Sequence, residues 1–236
     1  MRSAVEIVKE LRKGVVAIFS YPNLERLGVD ELSTVLGSHG IMGSAFAISS
    51  DKFLTCSHVV KDRENLILIG SPGRETGLSP IHHEVVDMRQ NRQMDLALLR
   101  TKRVKGEVVP IKFESTRPEV GLDILAVGYP WPEQQGRVQK DEKRIDLHVT
   151  LTLRAIRGIV AARYVDGIHF EIDKLLNPGQ SGGPVVSLET GLLVGVCQAI
   201  RHWPRKDGDP MIPTDLSICL SVEIVQDVLN ELGANF

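Results

Sequence analysis

The most restrictive chemistry in this chain sits at Asn177-Pro178-Gly179-Gln180-Ser181-Gly182-Gly183-Pro184. A serine between glycines fits a tight turn with its hydroxyl exposed. The backbone N–H groups of Gly179 and Ser181, on either side of Gln180, can then aim at one point and hold an oxyanion. A hydroxyl is a weak nucleophile and needs a base. Of the seven histidines, His58 stands out in Phe53-Leu54-Thr55-Cys56-Ser57-His58-Val59-Val60, an apolar run that gives way to Lys61-Asp62. A base needs an orienting carboxylate, and Asp95 stands at the mouth of the apolar Leu96-Ala97-Leu98-Leu99. Each segment alone has an ordinary explanation: a glycine turn, a hydrogen-bonded core histidine, a strand-start cap. In the order His58, Asp95, Ser181 they are candidates for base, orienter and nucleophile.

Such side chains must be held by a rigid scaffold, and the pattern of the chain says which kind. Short runs rich in Val, Ile, Leu and Phe recur between Gly, Pro, Asn and Asp, among them 15–19, 43–48, 66–69, 96–99, 122–127, 149–153, 169–172, 192–199 and 216–222. That texture reads as an all-β sandwich or barrel. Two helices flank it. Ala4, Ile7, Val8 and Leu11 form one helical stripe. Near the other end, Val222, Ile224, Val225, Val228, Leu229 and Leu232 do the same, with Ser221 placed to cap the start and Gly233 to end the helix. The stretch from about 102 to 120 has no strong periodicity and reads as a linker between two halves. Segments 129–144 and 201–215 read as long polar loops.

Composition excludes more than it asserts. With 236 residues, 42% hydrophobic, there is material for a large core. Lys plus Arg is 28 against 30 for Asp plus Glu, which leaves no basic excess to neutralise nucleic-acid phosphates. No apolar run approaches the roughly 20 residues that cross a bilayer, so membrane insertion is not expected. Glu6, Lys9, Glu10, Arg12 and Lys13 stand where the apolar core of a secretory leader would be. The three cysteines, Cys56, Cys197 and Cys219, form no CxxC pair and no disulfide framework. These features set the expectation of a cytoplasmic protein with reduced thiols. His82-His83-Glu84 is not a metal motif, because adjacent strand side chains point to opposite faces. Neither a metal nor a cofactor is expected.

The segments Thr55-Cys56-Ser57-His58-Val59-Val60, Asp95-Leu96-Ala97-Leu98-Leu99 and Gly179-Gln180-Ser181-Gly182-Gly183-Pro184 resemble the histidine, aspartate and serine boxes of the chymotrypsin-fold serine peptidases. The HtrA (Deg) branch is the nearer likeness, through Gly43-Ser44-Ala45-Phe46, Arg157-Gly158-Ile159-Val160-Ala161, Ile172-Asp173 and Gly195-Val196-Cys197-Gln198-Ala199-Ile200. The resemblance implies two antiparallel six-stranded β-barrels with a C-terminal helix, in one peptidase domain spanning 1–236. The barrels would run from about 14 to 105 and from about 120 to 220, followed by a helix over 221–232. It implies His58, Asp95 and Ser181 as the triad, and Gly179, Gln180 and Ser181 as the oxyanion hole. A pocket from Leu175, Leu176, Gln198, Ala199, Ile200, Ile218 and Cys219 follows from the same likeness. With no acid at its base, that pocket favours small or medium aliphatic side chains before the cut. The likeness also implies polypeptide substrates, a part in protein quality control and homo-oligomers, with trimers forming through residues 1–25. The chain departs from the family by leaving no room for a PDZ domain. A serine endopeptidase is the leading reading. A latent or inactive pseudoprotease that binds peptides or protein partners in the cleft is the alternative.

Overall fold

A computed structural model describes residues 2–20, 40–63, 65–72, 79–130, 134–139, 144–149, 151–202 and 213–234. Helix α1 (Ala4–Leu11) opens with a capping box. Ser3 accepts from the Glu6 N–H, and the Glu6 side chain accepts from the Ser3 N–H. Its stripe buries Ile7 and Leu11 against the body of the same chain, with Ala4 and Val8 packed beside them. Val5, off the stripe, is exposed.

Six strands follow: β1 (Val15–Ser20), β2 (Gly40–Ala47), β3 (Lys52–Cys56), β4 (Leu66–Gly70), β5 (Ile81–Asn91) and β6 (Leu96–Lys105). They close into a barrel in the order β1-β2-β3-β6-β5-β4. Closure removes sheet edges and seals the apolar faces inward. Between β3 and β4 lies a single-turn helix, α2 (Ser57–Val60), which the apolar run 53–60 did not announce.

The second barrel takes β7 (Asp123–Gly128), β10 (Arg154–Arg163), β11 (His169–Ile172), β12 (Pro184–Ser187), β13 (Leu193–His202) and β14 (Pro213–Ser221), in the order β10-β11-β14-β13-β12-β7. A separate two-stranded ribbon, β8 (Gln134–Gln139) with β9 (Arg144–Val149), stands outside both barrels. It corrects the reading of 129–144 as loop and of 149–153 as strand. Main-chain pairing runs from Gln134↔Val149 to Gln139↔Arg144, and Ile145, Leu147 and Val149 alternate with polar residues along β9. Leu151 and Leu153 are apolar because they pack on the core from a coil.

Helix α3 (Val222–Glu231) buries Val222, Val225, Val228 and Leu229. Ser221 stands at its N-cap, but its side chain makes no capping bond. The helix continues directly from β14, so its first turn is set by the strand and not by a hydroxyl. Its far end reaches the first barrel. Asn91 donates to Glu231 at 3.0 Å, and Arg89 donates to the Leu232 carbonyl at 3.0 Å. Among the described residues, no helix is long and apolar enough to cross a membrane.

Candidate active site

The first barrel presents His58 and Asp95 together. Strand pairing sets Cys56 opposite Leu96, so the residues just beyond each strand end are neighbours. Asp95 takes a left-handed backbone conformation, φ 53°, one of the few that asparagine and aspartate tolerate. Its carbonyl accepts from the Ser57 N–H at 3.1 Å, and its Oδ1 accepts from the His58 N–H at 2.9 Å. Oδ2 lies 2.7 Å from His58 Nδ1. Between neutral imidazole and carboxylate, that contact places the proton on Nδ1 and leaves the Nε2 lone pair free to act as a base. The imidazole side chain is 49% exposed, on the open side of the pair.

The serine loop comes from the second barrel. Gln180 N–H donates to Asn177 O at 3.0 Å, with Pro178 and Gly179 between them and φ 93° at Gly179. That is the pattern of a type II turn, in which the third residue needs positive φ and glycine supplies it without strain. The neighbouring peptides are pinned in turn. Gly183 N–H donates to Gln180 O at 2.9 Å, Gly182 N–H to Cys197 O at 2.8 Å, and Ser44 N–H to Ser181 O at 2.9 Å. Gly182, φ 81°, lies so close to Thr55 and Ser44 that an added Cβ would fall 2.2 Å from Thr55 Oγ1. Among the described residues, the N–H groups of Gly179 and Ser181 meet no acceptor, while the Gln180 N–H between them is tied down. Two donors without an acceptor are available to an oxyanion hole, which needs them to converge on one point. Gln180 contributes its carboxamide to the turn: fully buried, it accepts the Asn177 N–H at 2.8 Å.

The Ser181 hydroxyl donates to Gln198 O at 3.2 Å. A hydroxyl has one proton, so in this state it is held by main chain and not by His58. Gln198 is 8% exposed, and its side chain crosses between barrels to donate to Met94 O at 2.8 Å, the carbonyl next to Asp95. Of the other expected pocket residues, Leu176 and Cys219 lie buried in one apolar cluster. Ala199 and Ile218 are register partners on β13 and β14, and Ile200 adjoins them. Leu175 points outward, 44% exposed, and does not join the buried cluster.

Three residues the sequence did not single out complete the arrangement. Ser44, fully buried, donates its hydroxyl to Gly179 O at 2.8 Å and accepts from the Tyr129 N–H at 2.8 Å. Ser217 accepts from the Leu176 N–H at 3.0 Å and anchors the approach to the turn. Asn91 accepts from the Met94 N–H at 3.0 Å and fixes the turn that carries Asp95. Ser44 stood in a quoted segment, but nothing in a Gly-Ser-Ala-Phe string says that its hydroxyl reaches 135 residues along the chain. Asp173 gains a reason as well: its Oδ1 accepts from the Ile159 N–H at 2.7 Å, joining two of the quoted segments.

The sequence profile of the trypsin-like peptidase domain family matches residues 43–196, and the chain belongs to that family. Among curated proteins it is 31% identical over 202 residues to one from Pseudomonas putida named "Probable periplasmic serine endoprotease DegP-like", covering 81% of this chain and 35% of that protein. It is 28% identical over 158 residues to "Serine protease HTRA1" of Xenopus laevis, covering 65% of this chain and 30% of that protein. The chain thus spans about a third of the length of the curated relatives it matches. A serine endoprotease structure from Yersinia pestis shares the fold with a TM-score of 0.67 at 19% identity, covering 98% of this chain and 67% of that one.

The names of the bacterial relatives overturn the expectation of a cytoplasmic protein, since they place those proteins in the periplasm. The unpaired thiols had no bearing on compartment. All three cysteines are free and buried, and burial pushes the Cys56 and Cys219 thiols well above the usual cysteine range. A buried, protonated thiol is slow to oxidise in either redox environment.

Proposed function

We propose that this chain is a serine endopeptidase in which His58, Asp95 and Ser181 form the triad and the N–H groups of Gly179 and Ser181 the oxyanion hole. The observation that carries the reading is the 2.7 Å His58–Asp95 contact beside a pinned turn with two free N–H donors. His58 Nε2 takes the Ser181 proton as the oxygen attacks a peptide carbonyl. The developing oxyanion meets the two N–H groups, and His58 then protonates the leaving amine. Water repeats the sequence on the acyl-enzyme. Asp95 holds the tautomer throughout.

Substrate enters this scheme as an added strand along β13. A substrate N–H donating to Gln198 O would compete with the Ser181 hydroxyl for that carbonyl and release the proton towards His58. Leu176 and Cys219 make the neighbouring wall apolar, which favours small or medium aliphatic side chains before the cut. The substrates are polypeptides, and the setting is the exported compartment that the relatives' names indicate.

A fluorophosphonate probe tests this directly. The expected result is stoichiometric labelling of the wild type and none of Ser181→Ala. Labelling that survives in Ser181→Ala, or no labelling at any pH with or without added peptide, would overturn the reading. The second of these outcomes would favour the latent, peptide-binding alternative.

A further inference from the structure

We propose that Cys56, His58 and Asp95 form an inhibitory binding site for a thiophilic divalent cation of the zinc type, a regulation of the active site that rests on the reading above. One ligand atom from each residue lies within 4.8 Å of the other two. The scaffold enforces this closeness. Cys56 ends β3 opposite Leu96, the residue after Asp95, and His58 follows two positions later with its N–H bound to Asp95 Oδ1. Peptide hydrolysis by the triad gives no task to the Cys56 thiol, whose Sγ donates to Cys197 O at 3.2 Å.

The donor set selects the ion. Sulfur, imidazole nitrogen and one carboxylate oxygen are the ligands of zinc and its neighbours, whereas magnesium and calcium require oxygen. Bonds of about 2.0–2.3 Å in a tetrahedron put ligand atoms roughly 3.3–3.8 Å apart. The Nδ1–Oδ2 contact of 2.7 Å must therefore open by roughly 0.6 Å. The His58 and Asp95 side chains are 49% and 33% exposed, whereas Cys56 is fully buried, so an ion arriving on the His58–Asp95 side has to draw the thiol towards it, with a water in the fourth position.

Charge also balances. A thiolate and a carboxylate together cancel the two positive charges, so the buried sulfur is not left as an isolated anion. The cation replaces the thiol proton, which leaves to solvent. The Nδ1 proton of neutral His58 moves by way of solvent to Nε2, freeing the Nδ1 lone pair for the metal. One proton is released per ion bound. With Nε2 protonated and Nδ1 on the metal, His58 can no longer accept the Ser181 proton, so the ion inhibits without touching the serine.

The full chain, stripped of metal, would be titrated with ZnCl2 while fluorophosphonate labelling is followed, with MgCl2 as control. A parallel CoCl2 titration would read the near-ultraviolet thiolate-to-cobalt band, which does not depend on activity. The expected result is one ion per chain, a thiolate band, and inhibition by zinc but not magnesium. Cys56→Ser, or Cys56→Ala should the serine variant fail to fold, loses the band and needs at least tenfold more zinc for half-inhibition of its own metal-free rate. Zinc inhibition that is unchanged in these variants, or cobalt binding without the thiolate band, would overturn the proposal. A thiolate band in a chain that no probe labels would uphold the metal site and overturn the peptidase reading instead.

Discussion

At the scale of single residues, the serine turn depends on a hydroxyl from the other barrel. Ser44 holds the oxygen of the Gly179–Gln180 peptide, and Asn177 O holds its N–H. With both ends fixed, this plane has one orientation, and the adjoining N–H groups inherit theirs. Ser44→Ala leaves Gly179 O and the Tyr129 N–H without a buried partner. We expect kcat to fall on the order of tenfold to a hundredfold, less than the loss of an oxyanion donor itself, with KM nearly unchanged. Steady-state kinetics on a peptide substrate checks this. A change confined to KM would count against the role given to Ser44.

At the scale of elements, β5 and β6 carry the Asp95 turn and also a buried histidine. His83 on β5 is fully buried, edge-on to Phe53, with Nδ1 2.9 Å from Thr101 Oγ1. Thr101 gives its proton to Asp51 O at 3.2 Å, so Nδ1 is the donor towards Thr101. Burial, and then the charge of Arg103, lower the His83 pKa. A histidine depressed in the folded state takes up a proton more readily in the unfolded chain. Its contribution is therefore intact above the unfolded value of about 6.5 and is lost as pH falls through and below it. Urea midpoints at pH 7.5 and 5.5 should differ more for the wild type than for His83→Asn, which does not titrate. Equal differences would show that His83 carries none of the acid sensitivity. Arg89 and Asn91 at the end of β5 also meet the end of α3, whose Glu231 accepts from Asn91 while Asn91 holds Met94, so the terminal helix supports the Asp95 turn through one intervening side chain.

At the scale of the molecule, the two barrels are joined where the chemistry lies. Ser44 to Gly179 and Ser181, Cys56 to Cys197 O, and Gln198 to Met94 O all cross between them. Gln198→Leu keeps the size of the side chain and removes one of these links, leaving Met94 O unpaired. The expected cost is about 1–3 kcal/mol of stability, read from urea unfolding, with a slower rate of fluorophosphonate labelling. Lost stability with an unchanged labelling rate would reduce Gln198 to a structural tie.

How much of this was legible beforehand depends on what each feature rests on. His58, Asp95 and Ser181 stood out as candidates because their chemistry restricts residue type, and because glycines at 179 and 182 mark a turn whose φ values exclude most side chains. The barrel strands were readable because each must bury one face. The β8–β9 ribbon and α2 were not: in the first, the alternation of Ile145, Leu147 and Val149 is short and set among charges and prolines, and the second is one turn long. The resemblance puts Leu175 in the pocket as a residue just before the turn, and its side chain is 44% exposed there.

The sequence by itself singled out His58, Asp95 and Ser181 as candidates for base, orienter and nucleophile, and a chain of short strands, since these are matters of residue type and pattern; the two closed barrels followed from the family resemblance. Only the tertiary structure decided that Ser44, Asn91, Ser217 and Gln198 hold them in place, that the Ser181 hydroxyl donates to Gln198 O, and that a thiol stands beside the His58–Asp95 pair. The reason is physical. A hydrogen bond between residues separated by 104 or 135 positions leaves no periodic trace in the chain, because its partners become neighbours only when two barrels close against each other.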